Sequence, residues 1–273
     1  MARGHEHAIL SHPELNLPHH FNTADIFTLR GPIETIVFVC GPLTDHRALR
    51  DFLAVHRKAR KIAVGVSVLD SQHAMSERFE TIIARDGSPS ATFDLGATCF
   101  RADPQRTPTR PPIFAGMSFR GKQTEYGLGR HGLWRAAEKA LRQLAVEKAL
   151  TPLQVDTKLI PTNRPADIGQ AFAAADIVLT TRMHGALIGL SSCRPVVAVD
   201  QIPGTGKVTA VLKKIGWPFV FSAETLDPQV LSASYDALVG ADGPGMVAAA
   251  KLSIEQMTAE ALSAAADAII GAA

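Results

Sequence analysis

Short runs of β-branched and apolar residues alternate along this chain with stretches in which apolar positions recur every three or four residues. The alternation predicts an α/β fold built on parallel sheets. Residues 34–40 (ETIVFVC) form a continuous apolar run closed by Gly41 and Pro42, which reads as a buried strand. Helical periodicity follows over 46–59, then a strand over 61–69 (KIAVGVSVL), a short strand over 81–85 and a small helix ending near Gly96. Residues 101–112 (RADPQRTPTRPP) break the pattern, with four prolines and no periodicity, and read as a linker between two units. Beyond it the alternation resumes, with strands at 113–119, 153–160, 176–181, 196–200 and 219–221 and helices at 130–150 and 165–175. The expected organisation is an N-terminal arm (1–30), a Rossmann-like unit (31–105), a second Rossmann-like unit (106–245) and an alanine-rich closing helix (246–273). Two such halves leave a cleft, and ligands of parallel sheets sit beyond the carboxyl ends of the strands.

Composition narrows the picture. Hydrophobic residues make up 46% and charged residues 20% of the chain, as in a globular protein. A formal net charge of +2 excludes a strong global pull toward nucleic acid, so an anion site has to be local, and aromatics at 6% argue against a base-stacking platform. The apolar runs are shorter than the ~20 residues of a membrane span, and neither a span nor a secretory leader is expected. The reading is a cytoplasmic protein. Cys40, Cys99 and Cys193 form no CxxC pattern and are expected as small buried apolar residues in a reducing compartment. Five histidines in the first twenty residues (His5, His7, His12, His19, His20) have irregular spacing and read as a solvated arm rather than a metal site. The arginines of 101–110 and a pI of about 8.5 read as a solvated basic linker.

The chemistry concentrates in residues 175–190 (ADIVLTTRMHGALIGL). A buried strand ends in Thr180 and Thr181, and Arg182 and His184 arrive where the next helix, from Ala186 onward, is expected to start. A helix N-terminus offers unpaired N–H groups and about half a positive charge. Arg182 beside it, with Gly185 permitting close approach, makes an anion pocket, and His184 can act as acid or base near neutral pH. The strand at 196–200 is followed by Gly204-Thr205-Gly206-Lys207, which brings a second cation to a neighbouring strand end. That loop is no Walker A motif, because Gln201 stands at the first glycine position and Val208 at the Ser/Thr position. Nor is it a dinucleotide-binding GxGxxG, since Thr209, followed by Ala210, stands at the last glycine position and the loop comes late in the chain.

The run ADIVLTTRMHGALIGLSSCRPVVAVD with the lysine-bearing GTGK loop resembles the C-terminal signature of polysaccharide pyruvyl transferases. The resemblance implies a two-domain GT-B-like fold and transfer of the enolpyruvyl part of phosphoenolpyruvate onto two hydroxyls of a sugar or lipid-linked glycan, forming a pyruvate ketal. No cofactor is implied. Arg182 and His184 match the family's Arg-x-His pair, Lys207 its downstream basic residue, and Arg85 in IIARDGSPS its N-terminal arginine. The implied roles are His184 as general acid and Arg85, Arg182, Lys207, Gly185 and Thr181 as donor-binding residues. Three positions depart from the pattern. The family's N-terminal glycine-rich strand–loop is not found, Val39-Cys40-Gly41-Pro42-Leu43 stands where a glycine-triplet turn is common, and Pro89 takes the expected serine position between Ser88 and Ser90. The N-terminal, acceptor-side half is therefore expected to be shortened. Two alternatives are a GT-B glycosyltransferase using a nucleotide sugar and a non-catalytic family member acting in binding or assembly. An oligomer is compatible with either.

Overall fold

In a computed structural model of the chain the alternation resolves into two parallel α/β halves. The structure describes residues 32–45, 47–68, 74–100, 111–123, 132–158, 163–204 and 206–271, together with a two-residue parallel ladder between β1 (Ile9–Leu10) and β2 (Thr23–Ala24). The N-terminal histidines and residues 101–110 of the expected linker lie outside the described residues.

The smaller half is a three-stranded sheet in the order β3 (Thr35–Val39), β4 (Arg60–Ser67), β5 (Thr81–Asp86), with α1 (Arg47–Val55) connecting the first two. β3 was expected to be buried, but it is the edge strand: only Ile36 is fully buried and Val39 is 57% exposed. β4, paired on both sides, takes the burial instead. Its alternation sorts Ile62 and Val64 to one core and Ala63 and Val66 to another. The phase change falls at Gly65, where φ is +64° and the register with β5 slips. A side chain there would meet Leu95 at 2.8 Å. The slip turns Ser67 onto the face that looks toward the second half.

The expected small helix before Gly96 is absent. Both the amide and the hydroxyl of Thr92 bond to the carbonyl of Ala84 (2.7 and 3.1 Å), which folds the chain back in extended form along β5. Cys40 and Gly41 both occupy the left-handed region (φ 61° and 84°), so a cysteine stands at a position that favours glycine. The cysteines are not the buried residues expected: Cys40 and Cys193 are half-buried and Cys99 is exposed.

The larger half has five parallel strands in the order β10 (Val220–Ser222), β9 (Val196–Asp200), β8 (Ile177–Thr180), β6 (Phe114–Ser118), β7 (Thr151–Gln154). β7 begins and ends earlier than its apolar pattern suggested. Pro152 is tolerated on this edge strand, and the amide of Lys158 bonds to Asp156 (3.0 Å) in a turn. The helices are α2 (Trp134–Glu147), α3 (Pro165–Ala173), α4 (Met183–Ser191), α5 (Lys207–Lys214) and α6 (Pro228–Val239). Every residue of β8 and β9 is buried, and α4 is apolar nearly all round because α3, α5 and the last helix, α7 (Gly243–Ile270), surround it.

α7 (Gly243–Ile270) crosses back to the smaller half. Val247, Ala250, Ile254, Thr258, Ala261 and Ala265 form one buried stripe at helical spacing. Arg60 of β4 donates to the terminal carbonyl of Ala268 (2.7 Å), where a cation suits the helix dipole. One apolar core runs from Ile62 and Phe93 of the smaller half into the larger one. Among the described residues no helix is long and apolar enough to cross a membrane.

Candidate functional site

β6 is flanked by β7 on one side and β8 on the other, so the direction of winding reverses between β6 and β8. Such a reversal opens a crevice beyond the carboxyl ends of the two strands, where doubly wound sheets bind ligands. The segments that leave there are 118–120 after β6 and 181–185 after β8.

Threonines lash these two exits together. Thr180 Oγ1 donates to the Ser118 carbonyl (2.7 Å) and accepts from the amide of Arg182 (2.9 Å). That bond turns the chain at Arg182, so α4 starts at Met183, earlier than the sequence suggested. Thr181 is 1% exposed, and its hydroxyl accepts from the amide of Arg120 (2.8 Å). Gly185 faces inward: a Cβ would lie 2.5 Å from Thr180 Oγ1 and 3.3 Å from Ser118, so the small residue lets α4 seat on the strand ends.

Arg182 is the N-cap residue of α4, which has no side-chain cap. Its Nε donates to the Phe119 carbonyl (2.8 Å) and its Nη1 to Thr157 Oγ1 (2.7 Å), with Asp156 Oδ1 at 2.9 Å. Burial lowers its pKa from the ordinary arginine value, Asp156 opposes that and nearby Arg120 adds to it. Two guanidinium groups thus share the reversal point.

His184 lies in the first turn of α4 with 41% of its side chain exposed. Its Nε2 is 3.0 Å from Asp94 Oδ2, a carboxylate of the smaller half that is 1% exposed. The same oxygen accepts from Arg85 Nη1 (2.9 Å), and Asp94 Oδ1 accepts from the amide of Gly96 (2.9 Å). Arg85 also donates through Nε to Asp86 (2.9 Å) and through Nη2 to Ser67 (2.6 Å), with only 5% of its side chain exposed. Burial works against both charges. For Asp94 the bonds and charges of His184 and Arg85 outweigh it and bring the carboxyl down to about 2. For Arg85, Asp94 and Asp86 likewise outweigh it and raise the guanidinium.

Lys207 opens α5 at the neighbouring strand end, but the expected cationic surplus there is met by a carboxylate. Asp200, 1% exposed at the end of β9, accepts from the amides of Ile202 (3.1 Å) and Thr209 (2.9 Å), the latter in the first turn of α5. A Cβ on Gly206 would lie 2.5 Å from that carboxylate. Among the described residues no group of three or more potential metal ligands stands together.

The structure therefore joins Arg85 and His184 through Asp94, and sets Thr181, Arg182 and Gly185 at one strand reversal. The sequence reading missed Asp94 and Arg120. The signal for Asp94 was an acid inside an otherwise apolar run (ATFDLGA), since an ionised group goes into an interior only with a partner.

Residues 133–201 match the polysaccharide pyruvyl transferase family. The matched segment holds Thr181, Arg182, His184 and Gly185; Arg85, Asp94 and Lys207 lie outside it. No curated protein matches the chain. Among solved structures it is similar to CalG4, the calicheamicin glycosyltransferase, at 15% identity over 84% of this chain and 60% of that one, with a TM-score of 0.39. It is similar also to the glycotransferase of kitacinnamycin, at 14% identity over 77% of this chain and 56% of that one, with a TM-score of 0.36. The chain thus spans less than two thirds of the length of either glycosyltransferase.

Proposed function

We propose that the chain is a transferase that moves the enolpyruvyl group of phosphoenolpyruvate onto two hydroxyls of a sugar or lipid-linked glycan, making a pyruvate ketal. The observation that carries this reading is the pairing of Arg182 with a half-exposed His184 at the uncapped start of α4, inside the segment that matches the family. The donor has a phosphate and a carboxylate, so its site needs several directional cationic donors. Arg182, the first-turn amides of α4 and Arg120 supply them at the strand reversal, with Lys207 adding charge from the next helix. Thr181 and Gly185 hold that cradle in shape.

His184 gives a proton to the methylene carbon, which leaves an oxocarbenium-like centre at the carbon bearing the phosphate. One acceptor hydroxyl adds to this carbon and returns its proton to His184. The C–O bond to phosphate then breaks, the second hydroxyl closes the ketal, and its proton leaves with the phosphate. One new methyl hydrogen and one phosphate proton account for both hydroxyl hydrogens.

Calorimetric titration with phosphoenolpyruvate tests the donor, with UDP-sugars for comparison and Arg182→Ala as control. Saturable binding that the substitution removes is expected. Tighter binding of a UDP-sugar would replace this reading with a nucleotide-sugar glycosyltransferase, and binding of neither would point to a non-catalytic protein.

A further inference from the structure

Arg85 is matched to a donor-binding arginine by resemblance, yet its guanidinium is buried and bonded within the smaller half. Its Nε, Nη1 and Nη2 donate to Asp86, Asp94 and Ser67, and 5% of the side chain is exposed. The partners converge through backbone geometry: the slip at Gly65 turns Ser67 to this face, and the fold-back of Thr92 on Ala84 returns Asp94 to it. Two carboxylates therefore meet one guanidinium, and the His184 ring is a further partner of Asp94.

Asp94 receives only donors, from Arg85 and from the amide of Gly96, so the His184 nitrogen against it is the one that carries a proton. No hydrogen bond of His184 Nδ1 is formed among the described residues. We infer that Asp94, itself held by Arg85, is a positioning residue that orients the His184 ring from the opposite half of the molecule and leaves Nδ1 as the nitrogen that exchanges protons with the substrate. Arg85 acts through Asp94 and not on the donor. The acid is then assembled from both halves: one contributes the imidazole, the other the carboxylate that aims it. The catalytic part of this inference rests on the role of His184 proposed above; the positioning does not.

The test uses the full chain labelled with ¹⁵N, with the His184 ring signals identified by their loss in His184→Gln. The expected result is an exchange-protected, downfield proton on His184 Nε2 that disappears in Asp94→Asn and returns in part in Asp94→Glu. In turnover, Asp94→Asn should lower kcat by at least about 10-fold, the low end for loss of an orienting partner, with KM for phosphoenolpyruvate nearly unchanged. A proton on Nδ1 instead, or a ring signal indifferent to Asp94→Asn, would overturn the proposal. If Asp94→Asn fails to fold, Arg85→Lys decides: loss of the protected His184 proton supports the relay. A drop in phosphoenolpyruvate affinity beyond about 10-fold with that proton intact would make Arg85 a donor ligand and overturn it. A wild-type chain that neither binds nor turns over phosphoenolpyruvate defeats the proposed function, while the proton signal still decides the positioning.

Discussion

Two helices leave adjacent strands of the larger sheet, α4 after β8 and α5 after β9, and their first turns are electrostatic opposites. Each should present unpaired amides and a partial positive charge. At α5 the chain answers that charge itself, because Asp200 lies beneath the turn and takes the amide of Thr209. At α4 no side chain caps the turn; Thr180 holds only the amide of Arg182, and Arg182 and His184 add cationic capacity. One N-terminus is internally neutralised and structural. The other leaves its first-turn amides uncapped, with Asp94 and Asp156 meeting the His184 and Arg182 side chains instead, and that difference makes the β8 end the stronger candidate for a donor site.

The largest expected effect is at His184. His184→Ala should lower turnover by about 10²–10⁴-fold, the usual contribution of a general acid, with the circular dichroism spectrum preserved. Substantial residual activity would remove His184 from the chemistry.

Next comes the contrast between the cations. Arg182→Ala should weaken phosphoenolpyruvate binding by about 10- to 100-fold, corresponding to a charge-assisted hydrogen bond. Lys207→Ala should cost about threefold, because α5 already has its anion and the lysine acts at longer range. Equal losses in calorimetry would break the comparison and give the β9 end an equal share of the site.

Asp94 marks where the α4 side depends on the smaller half. Its carboxyl lies at about 2 when folded against an ordinary 3.8, so the stability it adds is complete above about pH 4 and is lost as pH falls toward 2. The depression corresponds to about 2 kcal/mol for this buried group. Acid melts of Asp94→Asn should lack that portion of the pH dependence; an unchanged acid limb would mean that Asp94 carries no such linkage.

The smallest effect sharpens the α5 side. Asp200→Ala should destabilise the fold by about 1–2 kcal/mol through loss of the cap, with phosphoenolpyruvate affinity unaffected. Thermal melts and calorimetry on the same variant separate the two, and a parallel loss of affinity would tie Asp200 to the donor site.

Much of this architecture was legible in periodicity. The strand at 196–200 was read to the residue, and the strand–turn–helix carrying Arg182 and His184 was read with the strand a residue too long at each end and the helix start too late. Continuous apolar runs have one explanation in a parallel sheet, and cations clustered at a strand end are a local pattern. Edge positions were less legible: β3 and β7 have the composition of buried strands, and only pairing order decides which strand keeps an open side.

The sequence by itself determined which residue types could meet an anion and which strands would carry them, because hydrophobic period and turn chemistry are properties of neighbours along the chain. The tertiary structure alone decided how charges were spent. Asp94 and His184 are 90 positions apart and meet at 3.0 Å only because the halves dock, and Asp200 neutralises α5 only because Gly206 leaves room for its carboxylate. Pairing between buried charges depends on distances across the fold, on which the order of residues along the chain imposes no local constraint.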